Sequence, residues 1–127
     1  MTREDTLAIA ERLFAAISAG RVDAVRDIYA PNAVIWHNTD GIEQSVDDNL
    51  RILHWVVRHI TNLRYEDVRR HVTETGFVQQ HILRGTAPNG ALLAIPACLV
   101  CTVHEGRITR LDEYLDSGQL TALMSTP

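Results

Sequence analysis

No stretch of this sequence approaches the ~20 consecutive apolar residues that a membrane-spanning helix needs. The opening residues, Met1-Thr-Arg-Glu-Asp5, lack the build of a signal peptide. A cytoplasmic location is the default expectation, with no membrane partner. There is no excess of basic charge: the formal net charge is −4, and Glu66 and Asp67 interrupt the densest basic stretch, residues 64–71. Phosphate binding needs a clustered basic surface, so no nucleic-acid partner is expected. The glycines are scattered and form no phosphate-cradling loop. No His-Glu-x-x-His occurs, and no cysteine–histidine cluster at zinc spacing. No metal and no cofactor are expected. The only two cysteines, Cys98 and Cys101, lie inside a strand-like run, where residues three apart face opposite ways. They read as small core fillers rather than a redox pair.

What is present is an ordinary globular balance. The chain has 127 residues, 46% of them apolar and 22% charged. That length fits one domain, 1–127, able to bury a core without staples.

Hydrophobic spacing divides the chain in two. Thr2-Arg-Glu-Asp5 resembles a capping box, after which Leu7, Ala10, Leu13, Phe14 and Ile17 recur at helical spacing and Gly20 suits the stop. A second helix is expected over 22–29, ended by Pro31, and a short strand over 33–38. Ser45-Val-Asp-Asp48 is another capping pattern, opening a third helix through Val46, Leu50, Leu53 and Val57. Then the period changes from about 3.6 to 2. Strands are expected over 63–72, 77–87, 91–104 and 107–116, with tight turns at Pro88-Asn-Gly90 and Glu105-Gly106. Pro96 calls for a bulge or an edge position. A short tail helix is expected over 120–124. Helices first and a strand meander second give an α+β fold, with three N-terminal helices packed on one face of a curved, mostly antiparallel sheet.

The succession helix, Ala-Gly-x-Val-Asp, helix, Tyr-Ala-Pro-Asn-Ala, then Val34-Ile-Trp-His-Asn38 resembles the nuclear transport factor 2-like superfamily. The ending Glu105-Gly-Arg-Ile-Thr-Arg-Leu-Asp-Glu-Tyr-Leu-Asp116 is similar to the last strand of limonene epoxide hydrolases and SnoaL-like polyketide cyclases. The resemblance spans roughly residues 7–120. It implies a cone-shaped fold with a pocket at its open end, and homodimerisation through the sheet.

The resemblance also tests particular reactions. Ketosteroid isomerases of this superfamily need a carboxylate base and two acidic donors to an oxyanion. Their base falls at Asn38, and their donors near Leu13 and Leu99, so that mechanism lacks its groups here. Limonene epoxide hydrolases use aspartates, an arginine, a tyrosine and an asparagine. Trp36 stands at the tyrosine position, Asn38 at the asparagine and Glu113 at one aspartate, while the arginine and second aspartate fall near His81 and Leu83. A complete set is absent.

The surviving polar set is His81, Glu113 and Asn38. Histidine can give or take a proton near neutrality. A glutamate against apolar walls is a better acid–base group than a hydrated one. Leu111 and Leu115 share the parity of Glu113, which puts it on the inner face of the last strand. His37 alternates with Trp36 and is expected to point outward. The expected roles are acid and base for Glu113 and His81, with Asn38 orienting water or a carbonyl. Leu13, Phe14, Ile17, Trp36, Leu53, Ile95, Leu99, Leu111 and Leu115 are expected to line the pocket. The expected ligand is small and mostly apolar, with one or two polar groups. A cofactor-free cyclase, isomerase or hydrolase is the leading reading. A binding or assembly module without chemistry is the alternative.

Overall fold

A computed structural model describes residues 1–116 and 118–119. Helix α1 (Arg3–Ser18) starts where the sequence places it. The Thr2 side chain accepts from the Asp5 N–H and the Asp5 carboxylate accepts from the Thr2 N–H, which closes the capping box. Ile9, Ala10, Leu13, Phe14 and Ile17 form its buried stripe. Helix α2 (Val22–Arg26) is shorter than expected, because strand β1 (Tyr29–His37) already begins at a buried tyrosine. Pro31 sits inside β1. It falls in the stretch between Tyr29 and Val34 where the register with the neighbouring strand shifts, so it owes no ladder bond there. A two-residue strand, β2 (Glu43–Gln44), precedes α3 (Val46–His59) and was not legible in the sequence. Ser45 caps α3 by accepting from the Asp48 N–H.

The period-2 half forms β3 (Thr61–Val72), β4 (Gly76–Thr86), β5 (Leu92–His104) and β6 (Arg107–Leu115). One six-stranded sheet results, in the order β2-β1-β6-β5-β4-β3. All neighbours are antiparallel except β1 and β6, which run parallel. Register shifts in β3 accompany positive φ at Asn62 and Asp67, and such bulges bend an edge strand and raise its twist.

The helices fill the concave face. One core cluster joins α1, α2 and α3 to Ile35, Phe77, Leu99, Cys101, Ile108 and Leu111; each large member contributes roughly 1.5–3 kcal/mol of burial. A second, smaller cluster gathers Ile60, Ala87, Leu93 and Ile95 at the far end of the sheet. Cys98 and Cys101 are free thiols, Cys101 buried and Cys98 half-buried.

Pro96 is neither at an edge nor in a bulge. It lies in register opposite Ile82 of β4. Its carbonyl accepts from the Asp116 N–H at 3.3 Å, so its missing N–H faces the side where β6 is ending, and little pairing is lost. The expected tail helix over 120–124 lies outside the described residues.

Candidate active site

The parallel pairing of β1 with β6 builds the site. His37 and Glu113 are register partners on these strands, and partners across a parallel pair share a face. Ile35 and Leu111, two residues back, are buried partners in the core. Alternation therefore turns His37 and Glu113 inward as well. His37 Nε2 stands 3.0 Å from Glu113 Oε1, and both side chains are about four-fifths buried, being 18% and 20% exposed. The expectation that His37 points outward is corrected by this register, and Glu113 faces inward as expected.

The pair borders a cavity of about 250 Å³ between α3 and the sheet. Ile17, Leu53, Trp55 and Val56 close it from the helices. Leu63, Leu83, Ile95, Ala97 and Leu115 close it from the strands. The polar groups on this apolar wall are His37, Glu113, Tyr65, Asn49, Gln44, Thr39 and Asp40. Asn49 is buried, and its Oδ1 accepts from the Tyr29 hydroxyl at 3.5 Å. Gln44 is nine-tenths buried at 9% exposure, and its side-chain oxygen has no hydrogen-bond partner among the described residues. A buried carbonyl left in that state costs roughly 1–3 kcal/mol.

The electrostatics divide the histidines. Burial works against a charge on His37, but the Glu113 hydrogen bond and the negative charges of Glu113 and Asp40 outweigh it. The pKa of His37 stands above the ordinary histidine value. Burial lowers the pKa of His81. The Arg70 charge adds to that effect and Glu113 opposes it. Burial first, and then the Glu113 charge, pushes the Tyr65 phenol up, so Tyr65 remains a donor.

The sequence-derived set does not converge on one point. His81 is 4% exposed, sits edge-on to Phe14 and Tyr65 at 5.4 and 4.7 Å, and has its Nδ1 2.9 Å from the Gln79 amide. It packs behind Tyr65 rather than on the cavity wall. It also belongs to β4, which β5 separates from β6 and Glu113. Asn38 is exposed, and both ends of its amide are spent on the Leu115 backbone, at 3.2 and 3.0 Å. Its own N–H donates to the Glu113 carbonyl at 3.0 Å. Asn38 thus extends the β1–β6 ladder and steadies the strand that carries Glu113.

Of the expected lining residues, Ile17, Leu53, Ile95 and Leu115 border the cavity. Leu13, Phe14, Leu99 and Leu111 pack in the core beneath it. Trp36 is on the opposite, convex face of the sheet, edge-on to Tyr114 at 5.2 Å. Its register partner is Asp112, of the parity opposite to Glu113. Tyr65, Asn49 and Gln44 were missed because nothing in period-2 or helical spacing marks a polar residue as inward. The one available signal was the parity of Ile35 in Val34-Ile-Trp-His37, an apolar residue that shares a face with His37.

Among the described residues, no group of three or more His, Cys, Asp or Glu is placed to hold a metal ion, and no helix is long and apolar enough to cross a membrane.

A model of the SnoaL-like domain matches residues 10–111, four-fifths of the chain. Glu113 lies just past that match. No curated protein is significantly similar in sequence. Among solved structures, a candidate polyketide cyclase from Xanthomonas campestris superposes with a TM-score of 0.83 at 18% identity, over 97% of this chain and 98% of that one. PrhC from Penicillium brasilianum superposes at 0.86 with 13% identity, over 98% and 88%. A protein with a ketosteroid isomerase-like fold from Catenulispora acidiphila gives 0.78 at 15%, over 94% and 93%. At these identities the structural likeness establishes the fold alone. The family match and the shared fold together identify the chain as a member of the SnoaL-like domain family, within the nuclear transport factor 2-like superfamily.

Proposed function

We propose that this chain is a cofactor-free acid–base enzyme that isomerises or cyclises a small carbonyl compound, with Glu113 and His37 as the proton-transfer pair. The observation that carries this reading is the 3.0 Å contact of His37 Nε2 with Glu113 Oε1 on the wall of an otherwise apolar cavity. The Glu113 carboxylate takes a proton from the carbon beside the carbonyl. The C–H bonding pair passes into an enolate, whose charge gathers on oxygen. The Tyr65 hydroxyl, held protonated, and the amides of Asn49 and Gln44 are the wall donors available to that oxygen. The proton then returns to a different carbon, which is isomerisation, or the enolate carbon attacks a second carbonyl, which closes a ring. His37, with its raised pKa, supplies positive charge beside Glu113 and a proton for the product oxygen. Epoxide opening would need an acid toward the epoxide oxygen, and the same His37 could serve it, so the hydrolase reading shares this site.

At about 250 Å³ the cavity falls just short of the usual range for ligand sites, which starts at about 300 Å³, and suits one or two rings better than a steroid-sized frame. The test is hydrogen–deuterium exchange beside the carbonyl of small cyclic ketones and 1,3-diketones, followed by proton NMR. The proposal expects exchange faster than buffer with the wild type and about 100-fold slower or more with Glu113→Gln. Ketones that raise the melting temperature but never exchange would instead favour the binding-module reading, which the family acids missing at Leu13, Asn38 and Leu99 motivate.

We also propose that two copies associate through the convex face of the sheet. Val68, Val100 and Tyr114 stand 43%, 42% and 49% exposed there, and Val68 and Tyr114 border a hollow of about 820 Å³. Sedimentation showing only the 14.2 kDa species at micromolar concentration would count against it.

A further inference from the structure

We infer that a relay from the surface, Glu11–Arg70–Gln79, fixes His81 as the neutral tautomer with its proton on Nε2. His81 is then a permanent hydrogen-bond donor, and of the two, His37 is the one left to act as an acid–base group. Only the division of labour in that last clause rests on the proposed reaction. The tautomer stands on geometry alone.

Arg70 and Gln79 are register partners across β3 and β4. Arg70 Nε donates to Gln79 Oε1 at 2.7 Å. A guanidinium has donors and no acceptor, so the atom facing it is the Gln79 oxygen. The amide is planar, and its NH2 is therefore turned the other way, toward His81. His81 lies two residues along β4 and on the same face. Gln79 Nε2 stands 2.9 Å from His81 Nδ1. An amide NH2 can only donate, so Nδ1 must present its lone pair. The proton of the neutral ring is then on Nε2.

Each member of the relay is held from a second side. Arg70 NH1 donates to Glu11 of α1 at 3.2 Å, and its guanidinium carbon lies 5.9 Å above the centre of the Phe14 ring. Gln79 is fully buried, at 0% exposure. The His81 ring stands edge-on to both Phe14 and Tyr65. A proton on Nδ1 would set two donors face to face with no water to separate them. Turning the Gln79 amide over would set its NH2 against the guanidinium instead. The charged groups that act on His81 are Arg70 from β3, which opposes a second proton, and Glu113 from β6, which favours one. Tyr65 is neutral. The amide geometry sides with Arg70.

The experiment is a long-range proton–nitrogen NMR spectrum of the imidazole rings, which assigns the tautomer without any substrate. In the wild type, His81 is expected to show a bare Nδ1 and a protonated Nε2 throughout the near-neutral range. In Gln79→Glu the carboxylate accepts from Arg70 and from His81 alike, so Nδ1 is expected to gain a proton at neutral pH. Arg70→Met frees the Gln79 amide to turn, and a mixture of His81 tautomers is expected. A wild-type spectrum with the proton on Nδ1 would overturn the inference, and this result needs no variant to fold. So would a Gln79→Glu protein whose His81 keeps a bare Nδ1. Failure of ketone exchange would leave the tautomer assignment untouched, and the reverse also holds.

Discussion

The two histidines on the concave face of the sheet share one side-chain chemistry, yet their pKa values move in opposite directions. His37 looks at a carboxylate across a parallel strand pair and borders the cavity. His81 looks at an amide oriented by a guanidinium and is walled in by two aromatic rings. Both rings are penalised by burial; at His37 the Glu113 hydrogen bond and charge outweigh it, whereas at His81 burial and the Arg70 charge prevail. The difference lies in what the nearest partner can do. A carboxylate only accepts and so rewards a protonated ring. An amide NH2 only donates and so rewards a bare nitrogen. A histidine in a fold of this kind is a candidate acid–base group only when its neighbour accepts.

Breaking the His37 side of this comparison should have the largest effect. Glu113→Gln removes the negative charge and the proton-accepting carboxylate while leaving the burial, so ketone exchange is expected to fall by about 100-fold or more, the usual worth of a positioned acid–base group. The same variant should bring the pKa of His37 down to or below the ordinary value. An unchanged exchange rate, or a His37 that still titrates high, would contradict the assignment.

The second contrast is in the pH dependence of stability. The folded pKa of His37 is raised. Its contribution is complete below the unfolded value of about 6.5 and is lost as pH rises through the folded pKa. The folded pKa of His81 is lowered. Its contribution is present above about 6.5 and is lost as pH falls through the folded pKa. Denaturant melts across pH should show His37→Gln flattening the alkaline limb and His81→Phe flattening the acid limb. The account fails if each variant alters the other's limb.

Asn38→Ala sharpens the boundary of the site. It removes two hydrogen bonds to the Leu115 backbone and should lower stability by about 1–2 kcal/mol. Exchange per folded molecule should change little, because the amide is spent on the strand. A large loss of turnover at full stability would return Asn38 to the reacting centre. The smallest effect on stability is expected from Gln44→Met, which removes a buried carbonyl unpartnered among the described residues at similar volume. A rise in Tm of about 3 °C is expected for a gain of roughly 1 kcal/mol, and a clear drop would show that Gln44 has a partner in solution.

Much of the fold was legible because spacing reports it. The capping box at Thr2, the stripe from Ala10 to Ile17 and the four long strands follow from period and turn chemistry, while at the start of the stripe Ile9 is buried in place of the expected Leu7. The two-residue β2 and the early start of β1 were not, since pairing with a neighbour decides such short pieces. The site was half legible. Glu113 could be placed inward because Leu111 and Leu115 share its parity. His37 could not be found by the same reasoning applied to Trp36, because a large apolar residue can face inward or, as here, pack against Tyr114 on the convex side. That one choice of face moved Trp36 into the expected pocket and His37 out of it. His81 faces inward, but spacing along one strand says nothing of the amide and guanidinium that turn it from a base into a donor.

The most direct test of the central claim is an NMR titration of His37 and His81 side by side in the wild-type protein. The account predicts that His37 titrates above about 6.5 and His81 below it, with both moving down when Glu113 is replaced by glutamine and His37, which also loses the carboxylate hydrogen bond, moving further. If His81 titrates above that value, or His37 below it, the acid–base pair has been placed on the wrong histidine.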